Sequence, residues 1–97
     1  MSLEFLTSKY IDSAKQVIAE LKRNPTPFSV DGQTVDEVLG WVIDYFEDAK
    51  YYKAEGKLGT SLTSVAYCEG LLDALRLIGA VNFQWPSKQQ QNQTEKL

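Results

Sequence analysis

The sequence predicts an all-α protein, an antiparallel three-helix bundle whose second and third helices fold back on one another as a hairpin. Three observations point there. Apolar residues recur at three- and four-residue steps in three separate segments, the signature of one buried face per helix. Pro25 and Pro27 separate the first segment from the second, and Gly56 separates the second from the third. No run of apolar–polar alternation is long enough for a strand.

The first helix is expected over about residues 4–23, where Leu3, Leu6, Tyr10, Ala14, Val17 and Leu21 share one face. Asn24-Pro25-Thr26-Pro27 ends it, because proline lacks an amide donor and pushes its predecessor out of helical geometry. Phe28 and Val30 then plug the end of the core, and Asp31-Gly32 reads as a turn. The second helix, residues 34–55, opens with Thr34 and Glu37 at capping-box spacing, and Val35, Val38, Leu39, Val42, Phe46 and Ala49 form its inner face. Gly56 supplies the residue after the helix, where a positive φ costs glycine little.

The third helix, residues 58–78, carries two apolar strips. Ser61, Val65, Cys68, Leu72 and Leu75 follow heptad-like spacing, with small residues near the turn that let the partner helix approach. Tyr67, Leu71, Ala74 and Ile78 lie a quarter-turn or more away, which places this helix between the other two. Gly70, inside the helix, costs about 1 kcal/mol relative to alanine and suggests a close neighbour. Gly79 ends the helix, and Phe83, Trp85 and Pro86 are expected to fold back on the bundle. The domain therefore spans residues 1–86, and the glutamine-rich segment 87–97 reads as a disordered polar tail.

Composition narrows the function classes. A net charge of −3 argues against nucleic acid, which selects basic faces. The acids concentrate in residues 31–56, with seven against two bases for a local balance of −5, whereas residues 1–24 balance at +1. That is the solvated face of a helix or a landing site for a basic partner. Cys68 is the single cysteine, and there is no histidine, so disulfides, zinc, haem and imidazole acid–base chemistry lose their usual residues. No apolar run is long enough to span a membrane, and no signal-peptide pattern opens the chain; a cytoplasmic location without membrane contact is expected.

Two resemblances attach to the hairpin. Ala49, Tyr52, Gly56, Ala66 and Ala74 resemble a single tetratricopeptide-like hairpin, but a true array repeats about every 34 residues. Tyr10, Ala14, Ile18 and Pro25 give only a faint echo at that period, so no solenoid is expected. The closer match rests on Asp48-Ala49-Lys50-Tyr51-Tyr52, Gly56, and the run Ala66-Tyr67-Cys68-Glu69-Gly70-Leu71-Leu72-Asp73-Ala74-Leu75. These residues resemble a small archaeal family, the domain of unknown function family number 357, over about residues 34–79 and only in character over the first helix. The resemblance implies a short helical bundle, an archaeal source and no assigned activity. Some members of that family are joined to nucleotidyltransferase-like domains, which implies an accessory or regulatory role as one alternative.

Two constellations are candidate ligand- or partner-binding sites. Trp41, Tyr45, Asp48 and Tyr52 fall at i, i+4, i+7 and i+11 on one flank of the second helix, where aromatic faces and a carboxylate suit a cationic or planar ligand. The competing reading is an amphipathic edge that covers the core with wet polar tips. Glu69, Asp73 and Arg76 share a narrow sector of the third helix and form a polar pocket if they face Asp48 or Tyr45, or else a register-fixing ion network. No metal is expected, since paired carboxylates here lack the histidines of di-iron bundles. Ser61, Thr60, Thr63 and Ser64 have no activating base, so no catalytic residue, enzyme activity or cofactor is expected. The expected function is a non-enzymatic interaction or adaptor module that docks a protein partner or a second copy. The alternative is a small-ligand-binding or accessory domain.

Overall fold

A computed structural model describes residues 2–86; Met1 and the segment 87–97, where the polar tail was expected, lie outside the described residues. The fold is all-α. Helices α1 (Leu3–Glu20), α2 (Gly32–Ala54) and α3 (Leu58–Leu77) follow in order, with no strand among the described residues. α2 and α3 pack against one another as the predicted antiparallel hairpin.

Both ends of the hairpin are closed by glycine. Gly56 (φ 77°) and Gly79 (φ 82°) adopt the left-handed region, which a side chain strains. After α2, the Gly56 amide donates to Lys53 O (3.1 Å) and the Lys57 amide to Tyr52 O (2.8 Å). After α3, Gly79 donates to Arg76 O (3.0 Å) and Ala80 to Leu75 O (2.8 Å), the same paired closure. The start of α2 differs from expectation. Asp31 is the cap, its Oδ1 accepting from the Thr34 amide at 2.7 Å, and the helix begins two residues early at Gly32. An aspartate three residues before an available amide caps as well as threonine does, so the Asp31-Gly32 turn signal was in fact a helix start.

That hydrogen bond from the Thr34 amide, followed by the Thr34 side chain, holds the Asp31 carboxyl below its ordinary value of 3.8. The sign follows directly. A carboxyl more acidic in the folded chain contributes stability above its unfolded value, and that stability is lost as pH falls through the folded one. Melting curves taken at successively lower pH below 3.8 are expected to show an added loss that Asp31→Asn, which caps without titrating, does not show.

The core is thin. Val42 and Ala49 from α2 and Cys68 and Leu75 from α3 are the buried residues among those described. Around them Val35, Val38, Leu39, Tyr45 and Tyr52 face Ser61, Val65, Leu71 and Leu72, all half-buried. The α3 seam is therefore the one read from heptad spacing. On α2 the inner row instead steps through Val35, Val38, Val42, Tyr45, Ala49 and Tyr52, so Tyr45 takes the place expected for Phe46. Phe46 is exposed, with the Lys50 ammonium 5.1 Å from its ring. Near the turn the helices approach closely enough for the Ser61 hydroxyl to donate across the interface to Ala49 O at 2.7 Å. Burial, then the Glu69 charge, raises the Cys68 thiol above its ordinary 9.0, which keeps it protonated and unreactive at neutral pH.

α1 departs from the sequence reading. Its cap forms as a short helix should, with Ser2 Oγ accepting from the Phe5 amide at 3.0 Å, and it ends at Glu20 rather than Arg23. It buries no residue, and its apolar strip is open: Tyr10 is 64% and Val17 61% exposed. Only Leu6 is half-buried, where Leu3, Leu6, Thr7 and Tyr10 approach Lys57, Gly59, Thr60 and Thr63 at the start of α3 across an open gap of about 690 Å³. The helix order and hairpin are as expected, but α3 is not sandwiched along its length.

Gly70 corrects a second expectation. A methyl group built there meets nothing within 4 Å, so no close helix explains the glycine. Gly70→Ala is expected to stabilise the chain by roughly 0.5–1 kcal/mol in urea unfolding, since an exposed interior glycine carries only its entropic cost.

Candidate functional site

Three hollows line one side of the hairpin, and helical spacing explains why. Thr60, Thr63, Tyr67, Leu71, Ala74 and Ile78 step by three and four along α3, and Thr34, Val38, Trp41, Tyr45 and Asp48 do the same along α2. At the open end Val30, Thr34, Val35, Val38, Leu71, Ala74 and Ile78 bound an almost wholly apolar hollow of about 290 Å³. At the turn end lies the gap shared with α1. Between them Trp41, Asp44, Tyr45, Asp48 and Tyr67 bound a hollow of about 400 Å³ that is open to solvent.

The middle hollow gathers most of the first predicted constellation. Trp41, Tyr45 and Asp48 line it, joined by Asp44 from the same helix and Tyr67 from α3. The Tyr45 and Tyr67 rings stack across the hairpin with centroids 4.4 Å apart and planes inclined by 31°, a tilted contact that orders both rings. Trp41 and Tyr67 are each 54% exposed, whereas Tyr45 is half-buried against the seam. Among the described residues neither Asp44 nor Asp48 enters an ion pair. Tyr52 does not join. Its ring meets Tyr51 edge-on at 5.2 Å and has the Lys57 ammonium 6.0 Å away, nearer the turn.

The second constellation takes a different role. Arg76 pairs with Asp73 at 3.4 Å, both side chains about two-fifths exposed, a geometry that contributes little stability by itself. Asp73 Oδ1 also accepts from Trp85 Nε1 at 2.8 Å, and the Arg76 guanidinium lies 5.4 Å from the Phe83 ring. Phe83 and Trp85 meet edge to face at 4.9 Å. Asp73 and Arg76 therefore tie down the segment after α3, and they do not turn toward Asp48 or Tyr45. Glu69 is exposed and enters no hydrogen bond or ion pair among the described residues. Trp85 was expected to fold back, but its partner was missed because an indole donor twelve residues from a carboxylate leaves no periodic signal.

Asp44 and Tyr67 are the site residues that sequence reading did not group with the flank. Tyr67 belonged to the second apolar strip of α3, and only the crossing of the two helices brings that strip beside Tyr45. No three acids or cysteines among the described residues converge as a metal-binding group, and no described helix is long and apolar enough to cross a membrane.

These features define a small all-α protein built on a helical hairpin with one open, partly apolar face. The chain belongs to the family described as Protein of unknown function (DUF357), whose profile matches residues 9–81. The match covers the motif residues Asp48 to Leu75 and extends through most of α1, where the likeness was one of character alone. No curated protein and no solved structure was found to match the chain.

Proposed function

We propose that the chain is a non-enzymatic protein-interaction module that self-associates by covering its open faces. One observation carries this reading: α1 presents a complete apolar strip with no buried residue, while the hairpin leaves Val30, Ala74 and Ile78 exposed beside the half-buried Leu71 along its own open side. Monomeric proteins rarely leave contiguous apolar ground beyond a few hundred Å² without using it. The charge favours the same pairing, since the α1 end of the chain balances at +1 and residues 31–56 at −5. Seating the α1 strip of one copy on the hairpin of another buries both surfaces in a reciprocal, closed dimer.

Light scattering across a concentration series tests this. The expected result is a dimer whose share rises with concentration. A monomeric mass at every concentration overturns self-association. The alternative of a ligand-binding or accessory domain draws its support from the middle hollow, whose chemistry is taken up next.

A further inference from the structure

We infer that the hollow formed by Trp41, Asp44, Tyr45, Asp48 and Tyr67 is a cation-recognition site that takes the guanidinium of an arginine carried by a basic protein segment. The walls supply both halves of that chemistry. Trp41 and Tyr67 line the hollow and are each about half exposed, and the negative face of an aromatic ring attracts a cation placed over it. Asp44 and Asp48, one helical turn apart, bring two carboxylates to the same rim without an ion-pair partner among the described residues.

The site is ordered before anything binds. Tyr45 is held at the seam, and its 4.4 Å contact with Tyr67 joins the two helices at the floor of the hollow. A ligand therefore does not have to organise the tyrosine pair it meets. A planar guanidinium suits this arrangement better than an ammonium, because it stacks flat on a ring while its donors fan outward to two acceptors.

Two observations identify the source as a protein segment. The hollow is open, so it covers the end of a side chain and does not enclose a whole free ligand. Directly beyond it on the same side lies the apolar ground of Val38, Leu71, Ala74 and Ile78, which suits the rest of a peptide. The −5 balance of residues 31–56 draws basic segments toward this side. The protein source rests on the interaction reading above, but the cation chemistry does not depend on the chain pairing with itself.

Trp85→Phe leaves Trp41 as the single tryptophan and a direct reporter. Its fluorescence is titrated with a capped peptide of alternating arginine and alanine, beside the matching lysine and glutamate peptides and spermidine. The expected result is saturable binding of the arginine peptide, weaker binding of the lysine peptide and none of the glutamate peptide. Binding is expected to weaken roughly tenfold or more in Asp44→Asn/Asp48→Asn and to decline with added salt. Both aspartates are exposed, so that variant keeps its fold, with helicity checked by circular dichroism. Tyr67→Leu, measured by calorimetry, is expected to lose affinity as well.

No saturable signal, or equal affinity in the aspartate variant, overturns the site. Spermidine binding as tightly as the peptide overturns the protein source in favour of a free polyamine. A chain that stays monomeric yet binds the arginine peptide refutes only self-association. A chain that dimerises is titrated as its Tyr10→Gln/Val17→Gln variant, because the partner's α1 strip covers the same Leu71, Ala74 and Ile78 ground that the peptide needs; peptide ignored by that variant as a monomer refutes only this site.

Discussion

Leu75→Ala is expected to lose about 3 kcal/mol of folding stability, within the 2–5 kcal/mol typical of such truncations. Leu75 is 4% exposed and sits at the end of the α3 seam, beside Val35 and Val38 and one turn below Leu71. The truncation removes the largest of the four side chains buried among the described residues, the others being Val42, Ala49 and Cys68, and leaves a hole at the seam. A domain of this size carries of order 5–15 kcal/mol in total, so the loss is a large share. Urea unfolding followed by circular dichroism measures it. The exposed Leu77, two residues further along the same helix, is the control: Leu77→Ala is expected to change stability by less than about 0.5 kcal/mol. Equal effects at the two positions would mean that the hairpin seam is not the core.

How far the sequence foretold this arrangement depends on which signal each element leaves. The α3 seam was readable because Ser61, Val65, Cys68, Leu72 and Leu75 keep a seven-residue rhythm that only a paired helix demands. Gly56 and Gly79 were readable because a positive φ selects glycine almost uniquely. Tyr45 was misplaced for the opposite reason. A tyrosine suits both a seam and a wet flank, and only the hairpin crossing decides between them. The position of α1 was the largest departure. Periodicity shows that Leu3, Leu6, Tyr10, Ala14, Val17 and Leu21 share a face, but it says nothing of which molecule covers that face.

The same division runs through the candidate sites. Trp41, Tyr45 and Asp48 fall together because their spacing is a local property of one helix, and the structure leaves them on one hollow. Tyr67 needed the second helix, and the pairing of Asp73 with Trp85 needed the chain after α3 to double back. Gly70 shows the converse error. Its cost within a helix is real, but inferring a neighbour from that cost fails where the surface around it is open.

Replacing Tyr10 and Val17 together by glutamate is expected to abolish self-association while leaving the hairpin folded. The two residues lie seven apart on the α1 strip, and neither is buried in the single chain. Glutamate is a good helix former, so α1 itself is retained. If α1 were seated on its own hairpin, the same pair would place two carboxylates in an apolar contact, at a cost of several kcal/mol. The chain would then melt early. With α1 unseated, each substitution is a surface change worth about ±0.5 kcal/mol, and the hairpin melts near the temperature of the parent chain measured at concentrations dilute enough to keep it monomeric. Association suffers twice, since the strip loses its apolar anchors and the negative face it meets now repels it. The neutral variant Tyr10→Gln/Val17→Gln separates the two losses: it keeps the charge balance, and a dimer it still fails to form was held by apolar contact. Scattering gives the mass and circular dichroism the melting. A glutamate variant that unfolds places α1 on its own hairpin in solution, and one that still dimerises moves the interface away from the α1 strip.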